Sequence, residues 1–186
     1  MPLLNTPQQY GAVTKWFHWI TVALFTYQLV SAFVMTRLDE GQTFIGFDGN
    51  AWYNWHKTLG LAVLVVAIGR LLARRMGELP AWAPSLTETE KRIVHRAEQL
   101  LYIAMFLMPI SGFVFVMAGD YGVHFANRFD LPNPIGKWET LGEAAHVVHV
   151  ATAVMLGLAL TAHLGVVFRH VLLLRNGLLQ RMLPRR

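Results

Sequence analysis

The sequence predicts an all-α integral-membrane protein, a four-helix bundle built as one domain over residues 1–186. Three observations carry this. Hydrophobic residues make up 54% of the chain and charged residues only 15%, against about 25% charged in soluble domains. Four stretches long enough to cross a bilayer are almost free of acidic and basic side chains. Between them, Lys and Arg are dense in alternate connections, as in a chain threaded back and forth across a membrane.

Residues 1–14 are short and polar, with Pro2, Pro7 and Gly11, and are expected at the membrane surface. Lys15-Trp16-Phe17-His18-Trp19 then forms an aromatic belt entering the first span, about residues 15–36, with His18 about one turn inside. This span exceeds a signal-peptide core and no small-x-small cleavage pattern follows it, so it is expected to stay as an anchor. The next loop sets Arg37 against Asp39, Glu40 and Asp48. The second span, about 52–75, opens on Trp52-Tyr53-Asn54-Trp55-His56. Its two bases, Lys57 and Arg70, lie near its ends, where long side chains can snorkel. Gly60, one turn past His56, suits either the approach of a flat ligand or helix packing.

The connection from Arg70 to Gln99 carries six bases, Pro80, Pro84 and a Ser85/Thr87 to Glu88/Glu90 run that predicts a capped helix start. The third span, about 94–118, contains Pro109, Ser111 and Gly112 and is expected to kink there. A loop with four acids and two bases leads to the fourth span, about 144–169. Its stretch from Ala144 to Phe168 has 25 residues without a charge, yet holds His146, His149 and His163, with His170 just beyond.

Counting Lys and Arg by side orients the chain. The N-terminal segment, second loop and tail hold twelve, the first and third loops three, or four with Lys57. The positive-inside rule places both termini in the cytoplasm. The net charge of +5 reflects this clustering beside the spans, so a cytoplasmic membrane face explains it and nucleic acid is not a partner. The chain has no cysteine, which excludes disulfides, thiolate metal sites, iron–sulfur clusters and covalent c-type haem attachment.

Histidine inside a membrane span is costly and marks function by default. His149 and His163 are 14 residues apart, so on a helix they share a face to within about 40° and lie roughly 21 Å apart. One helix thus offers an imidazole near each surface. The topology puts His18 at the depth of His163 and His56 at the depth of His149. Two facing imidazoles suit bis-histidine haem iron, with both axial positions filled and no open site for oxygen. Two such sites would form an electron path through the membrane. His146 falls about 100° off the face of His163 and reads as an interfacial residue or a propionate partner. His170 shares that face but falls at headgroup level. Arg70, 14 residues after His56, wants an anion such as a haem propionate, or a quinone carbonyl. His95 and His124 lie in or beside loops and need no functional reading.

The elements Trp16-Phe17-His18-Trp19, Trp55-His56-Lys57-Thr58-Leu59-Gly60, His95 with Tyr102, and Met108-Pro109-Ile110-Ser111-Gly112 resemble the bacterial-type cytochrome b561 family. So do His149 with His163 and the tail Leu-Leu-Gln-Arg-Met-Leu-Pro. The family also shares features with cytochrome b subunits of nickel hydrogenases. The resemblance implies a four-helix membrane bundle with two non-covalent b haems, ligated by His18, His56, His149 and His163. It also matches family positions at Arg70 and His170, candidates for propionate or quinone binding.

The expected function is an inner-membrane di-haem cytochrome moving single electrons between a periplasmic donor and the ubiquinone pool. Superoxide is the favoured donor, drawn by an exposed Lys57, as the best-understood type of member oxidises superoxide. One alternative is an anchor subunit fed by a separate periplasmic dehydrogenase or hydrogenase. Another is a metal-ion transporter using the same histidines.

Overall fold

A computed structural model describes residues 2–184; Arg185 and Arg186, counted above with the tail, lie outside the described residues. The fold is the expected all-α four-helix membrane class. Helix α1 spans Ala12–Met35, α2 Gly49–Arg75, α3 Glu88–Ala118 and α4 Glu139–Phe168. All four are long and apolar enough to cross a membrane. Two small antiparallel hairpins interrupt the loops, β1 (Thr43–Phe44) with β2 (Phe47–Asp48) and β3 (His124–Phe125) with β4 (Phe129–Asp130).

Each helix begins a few residues before the apolar run predicted for it, and in the first three, groups at the helix start satisfy first-turn N–H groups. The α1 donors of Ala12 and Val13 go to the carbonyls of Pro2 and Leu3 at 2.9 and 3.1 Å. For α2, the Asp48 carboxylate accepts the Ala51 N–H at 2.7 Å, an N-cap bond. For α3 the Thr87–Glu90 run forms a capping box: Glu90 accepts from the Thr87 N–H and hydroxyl, and Thr87 Oγ1 lies 3.3 Å from the Glu90 N–H.

The chain forms two compact units, and every helix contributes one end to each. The first comprises residues up to Ile20, Val66–Met105 and Ala153 onward. Its buried cluster joins Ala83, Leu86 and Val166. The tail is bonded into this unit: Trp19 Nε1 donates to the Met182 carbonyl at 2.9 Å and Lys15 Nζ to that of Leu183 at 3.0 Å. After α4 the backbone widens into a π-helical stretch, Arg169–Leu174, that ends at Arg175 in a left-handed conformation.

The second unit comprises Thr21–Val65 and Phe106–Thr152. Its core gathers Val116, Met117 and Val123, with Leu61, Phe113 and Leu131 against them. The loop after α3 turns back and satisfies the helix's last carbonyls. Tyr121 N–H reaches Val116 O, Asn133 Nδ2 reaches Met117 O, and Trp138 N–H reaches Ala118 O. In the first hairpin, Gly46 supplies one left-handed turn residue while Ile45 takes φ 50° at the other. A β-branched residue there costs roughly 1–3 kcal/mol. Phe44, Ile45 and Phe47 are all exposed, and the Trp52 ring packs on both phenylalanines.

Replacing Thr87 by Ala removes the hydroxyl half of the α3 cap. We expect a loss of about 1 kcal/mol, read as a lowered unfolding temperature of detergent-solubilised protein; an unchanged temperature would show the cap to be dispensable.

Candidate cofactor-binding site

In the first unit His18 on α1 faces His163 on α4, with ring centroids 6.5 Å apart and planes tilted by 53°. Trp19 stands edge-on to His18 at 5.4 Å. The approach of α1 to α2 here is close, because a Cβ on Gly69 would sit 2.8 Å from the Phe17 ring. The next residue, Arg70, lies within electrostatic reach of both imidazoles. Its Nε donates to the Tyr102 hydroxyl at 3.3 Å, and the guanidiniums of Arg70 and Arg74 both face the Tyr102 ring. Arg74 is ion-paired with Glu98.

In the second unit His56 on α2 and His149 on α4 lie within electrostatic reach of each other, and their hydrogen bonds set their tautomers. The Ser31 hydroxyl donates its one proton to the Gln28 carbonyl at 3.1 Å, so toward His56 Nδ1, 2.9 Å away, it can only accept. His149 Nδ1 lies 3.0 Å from the Met108 carbonyl, which can only accept, and 3.3 Å from Ser111 Oγ. Ser111 spends its own proton on the Leu107 carbonyl. Both rings therefore carry hydrogen on Nδ1 and leave the Nε2 lone pair for a metal, the arrangement that orients histidine ligands. Gly112 completes the seat: a Cβ there would stand 2.9 Å from His149 Cε1.

These residues fit haem. Two metal–nitrogen bonds of about 2 Å, with about 1 Å more from each nitrogen to its ring centre, put facing imidazole centroids roughly 6 Å apart; His18 and His163 stand at 6.5 Å. Among the described residues two buried side-chain polar atoms lack a protein partner, His163 Nδ1 and Gln28 Oε1. Buried polar groups are rarely left so. One belongs to the His18/His163 pair, and the other to a side chain whose Nε2 donates to the His56 carbonyl. Among the described residues no three His, Asp or Glu side chains gather as a metal-ion site.

The other candidates are held by protein groups. His170 is fully buried, with Nε2 3.0 Å from Glu90 Oε1 and Nδ1 2.7 Å from Asn176 Nδ2. Glu90 also pairs with Arg169. His146 stacks on Phe115 at 4.7 Å. His124 pairs with Asp130, and His95 lies beside Gln99. Gly60 faces Gln28, whereas Gly157 faces open space. Lys57 is not the exposed base expected from the sequence. It is half-buried, and its Nζ donates to the Gly122 carbonyl at 2.9 Å because the loop after α3 folds over the start of α2. Sequence reasoning missed Ser31, Gln28 and Glu90 as partners of the histidines. Ser31 and Gln28 left a signal, being polar side chains inside an apolar span.

A family model described as prokaryotic cytochrome b561 matches residues 9–185 of the chain. Cytochrome b561 homolog 2 of Escherichia coli (strain K12) is 25% identical over 191 residues, covering 98% of this chain and 95% of that protein.

Adding a methyl group at Gly112 forces the His149 ring from its seat, since its Nδ1 bonds prevent an easy retreat. For Gly112→Ala we expect an altered haem spectrum or midpoint potential relative to the wild type in redox titration of purified protein. Superimposable titrations would mean that the ring shifts without consequence.

Proposed function

Because the chain belongs to the prokaryotic cytochrome b561 family and is thus a membrane b-type cytochrome of electron transfer, we infer that it holds two non-covalent b haems, one in each unit. His18 with His163 and His56 with His149 are the pairs that would hold them. The observation that carries it is the facing of His18 and His163 at 6.5 Å. The hydrogen-bonded tautomers of His56 and His149 support the second pair. Haem b supplies reversible one-electron exchange at iron. The chain's part would be to hold each iron through two imidazoles, so that oxygen would find no open site, and to surround those rings with apolar helices.

In this reading both termini are cytoplasmic, the protein lies in the bacterial inner membrane, and electrons pass from a periplasmic donor, superoxide, to ubiquinone. Arg70, placed beside the His18/His163 pair and bonded to Tyr102, is the cation available for a haem propionate or a quinone carbonyl. His170, held by Glu90 and Asn176, acts by anchoring the end of α4.

A second reading, the anchor subunit of a separate periplasmic dehydrogenase or hydrogenase, gains from two observations. Lys57 is engaged by Gly122 and so attracts an anion less. The acidic loop before α2 also exposes an apolar tip at Phe44, Ile45 and Phe47. The metal-ion transporter reading is the least supported, as the histidines of the spans meet in pairs.

Pyridine haemochrome analysis of detergent-purified protein should return two b haems per chain, and His149→Ala should retain one. A His149→Ala protein with both haems would overturn the ligand assignment. Mixing oxidised protein with superoxide should reduce it, and added superoxide dismutase should abolish that reduction. Failure to reduce, with a dehydrogenase co-purifying, would favour the anchor subunit.

A further inference from the structure

The first unit carries two arginines that the electron-transfer reading does not use. Arg92 and Arg96 stand four residues apart on α3, hence on one helical face. Both are exposed, and among the described residues neither is ion-paired with a carboxylate. Their neighbours Lys91 and Arg74, in contrast, are paired with Glu88 and Glu98. Arg92 makes a long contact to the Glu88 carbonyl and lies within electrostatic reach of the Glu88 carboxylate, which Lys91 already pairs, and Arg96 bonds to Gln99.

Beneath these guanidiniums runs a groove of about 360 Å³ between α3 and α4, lined by Ile93, Leu100, Leu158, Ala159 and Ala162 as well as the two arginines. The small side chains of Ala159 and Ala162 leave the space on α4. A second cleft, of about 660 Å³, opens on the other side of Arg96 and shares Leu100 as its wall. The depth of the arginines follows from helix geometry. Arg96 lies four residues, about 6 Å, before Leu100, where the charge-free run of α3 starts, which places it in the headgroup layer.

Two exposed cations at headgroup level, neither in an ion pair with a carboxylate among the described residues, above an apolar furrow at acyl level are complementary to one kind of molecule. We propose that Arg92, Arg96 and the α3–α4 groove bind an anionic phospholipid, its phosphate on the guanidiniums and an acyl chain along Leu100, Leu158, Ala159 and Ala162. Guanidinium forks match phosphate oxygens, and basic pockets between membrane helices are suited to such headgroups. The acyl chain would lie against the turn of α4 that presents His163, so the lipid becomes part of the apolar wall of that site.

The test is intact-protein mass spectrometry of the haem-loaded protein, equilibrated with equal mole fractions of phosphatidylglycerol and phosphatidylcholine. The wild type should retain phosphatidylglycerol several-fold over phosphatidylcholine. Arg92→Gln/Arg96→Gln should lose the preference while keeping its haem spectrum, and Arg128→Gln, an exposed arginine of the second unit, should keep it. No headgroup preference in the wild type, or an undiminished one in the double variant, would overturn the proposal. So would a quinone or a second copy of the chain, seen as the corresponding added mass on the wild type, that the double variant loses in place of phosphatidylglycerol.

Discussion

Hydrocarbon offers no hydrogen bonds, so the backbone polar groups carried into the membrane must be satisfied within the protein. That constraint organises this chain from the helix ends inward. The N-terminal segment supplies carbonyls to the first turn of α1, Asp48 caps α2, and Thr87 with Glu90 caps α3. The loop after α3 returns to satisfy the carbonyls of Val116, Met117 and Ala118. Polar residues in the connections thus serve chiefly to finish helices.

The same constraint acts on the histidines. An imidazole in an apolar bundle is tolerable when one nitrogen donates to an oxygen and the other meets a ligand. Ser31 does this for His56, and Met108 with Ser111 for His149. Each serine can accept because its proton is already committed to its own helix, to Gln28 in one case and Leu107 in the other. The two rings are thereby held in the same tautomer by equivalent devices on different helices.

Charge is handled by the same economy. Bases beside the spans are drawn into local partnerships, as with Arg74 and Glu98, Arg169 and Glu90, and Lys57 with the Gly122 carbonyl. The partnership of Lys57 removes the exposed cation that the sequence suggested near the start of α2. Arg92 and Arg96 on α3, by contrast, are exposed and form no ion pair with a carboxylate among the described residues.

Much of this was legible from the residues alone. Charge-free runs and their flanking aromatics announce four membrane helices because a bilayer imposes a minimum length and excludes charge. The Thr87–Glu90 spacing announced the α3 cap, since that bond joins neighbours three residues apart. The depth match of His18 with His163 followed from helical rise, and the two rings face each other. What only the tertiary structure decided are contacts between residues far apart in sequence. Ser31 beside His56, Gly112 beneath His149, Glu90 on His170 and Gly122 on Lys57 depend on helix rotation and loop path. A local pattern of residues specifies which face of a helix is apolar, but not which atom of a distant segment will meet it; packing of the whole chain sets that.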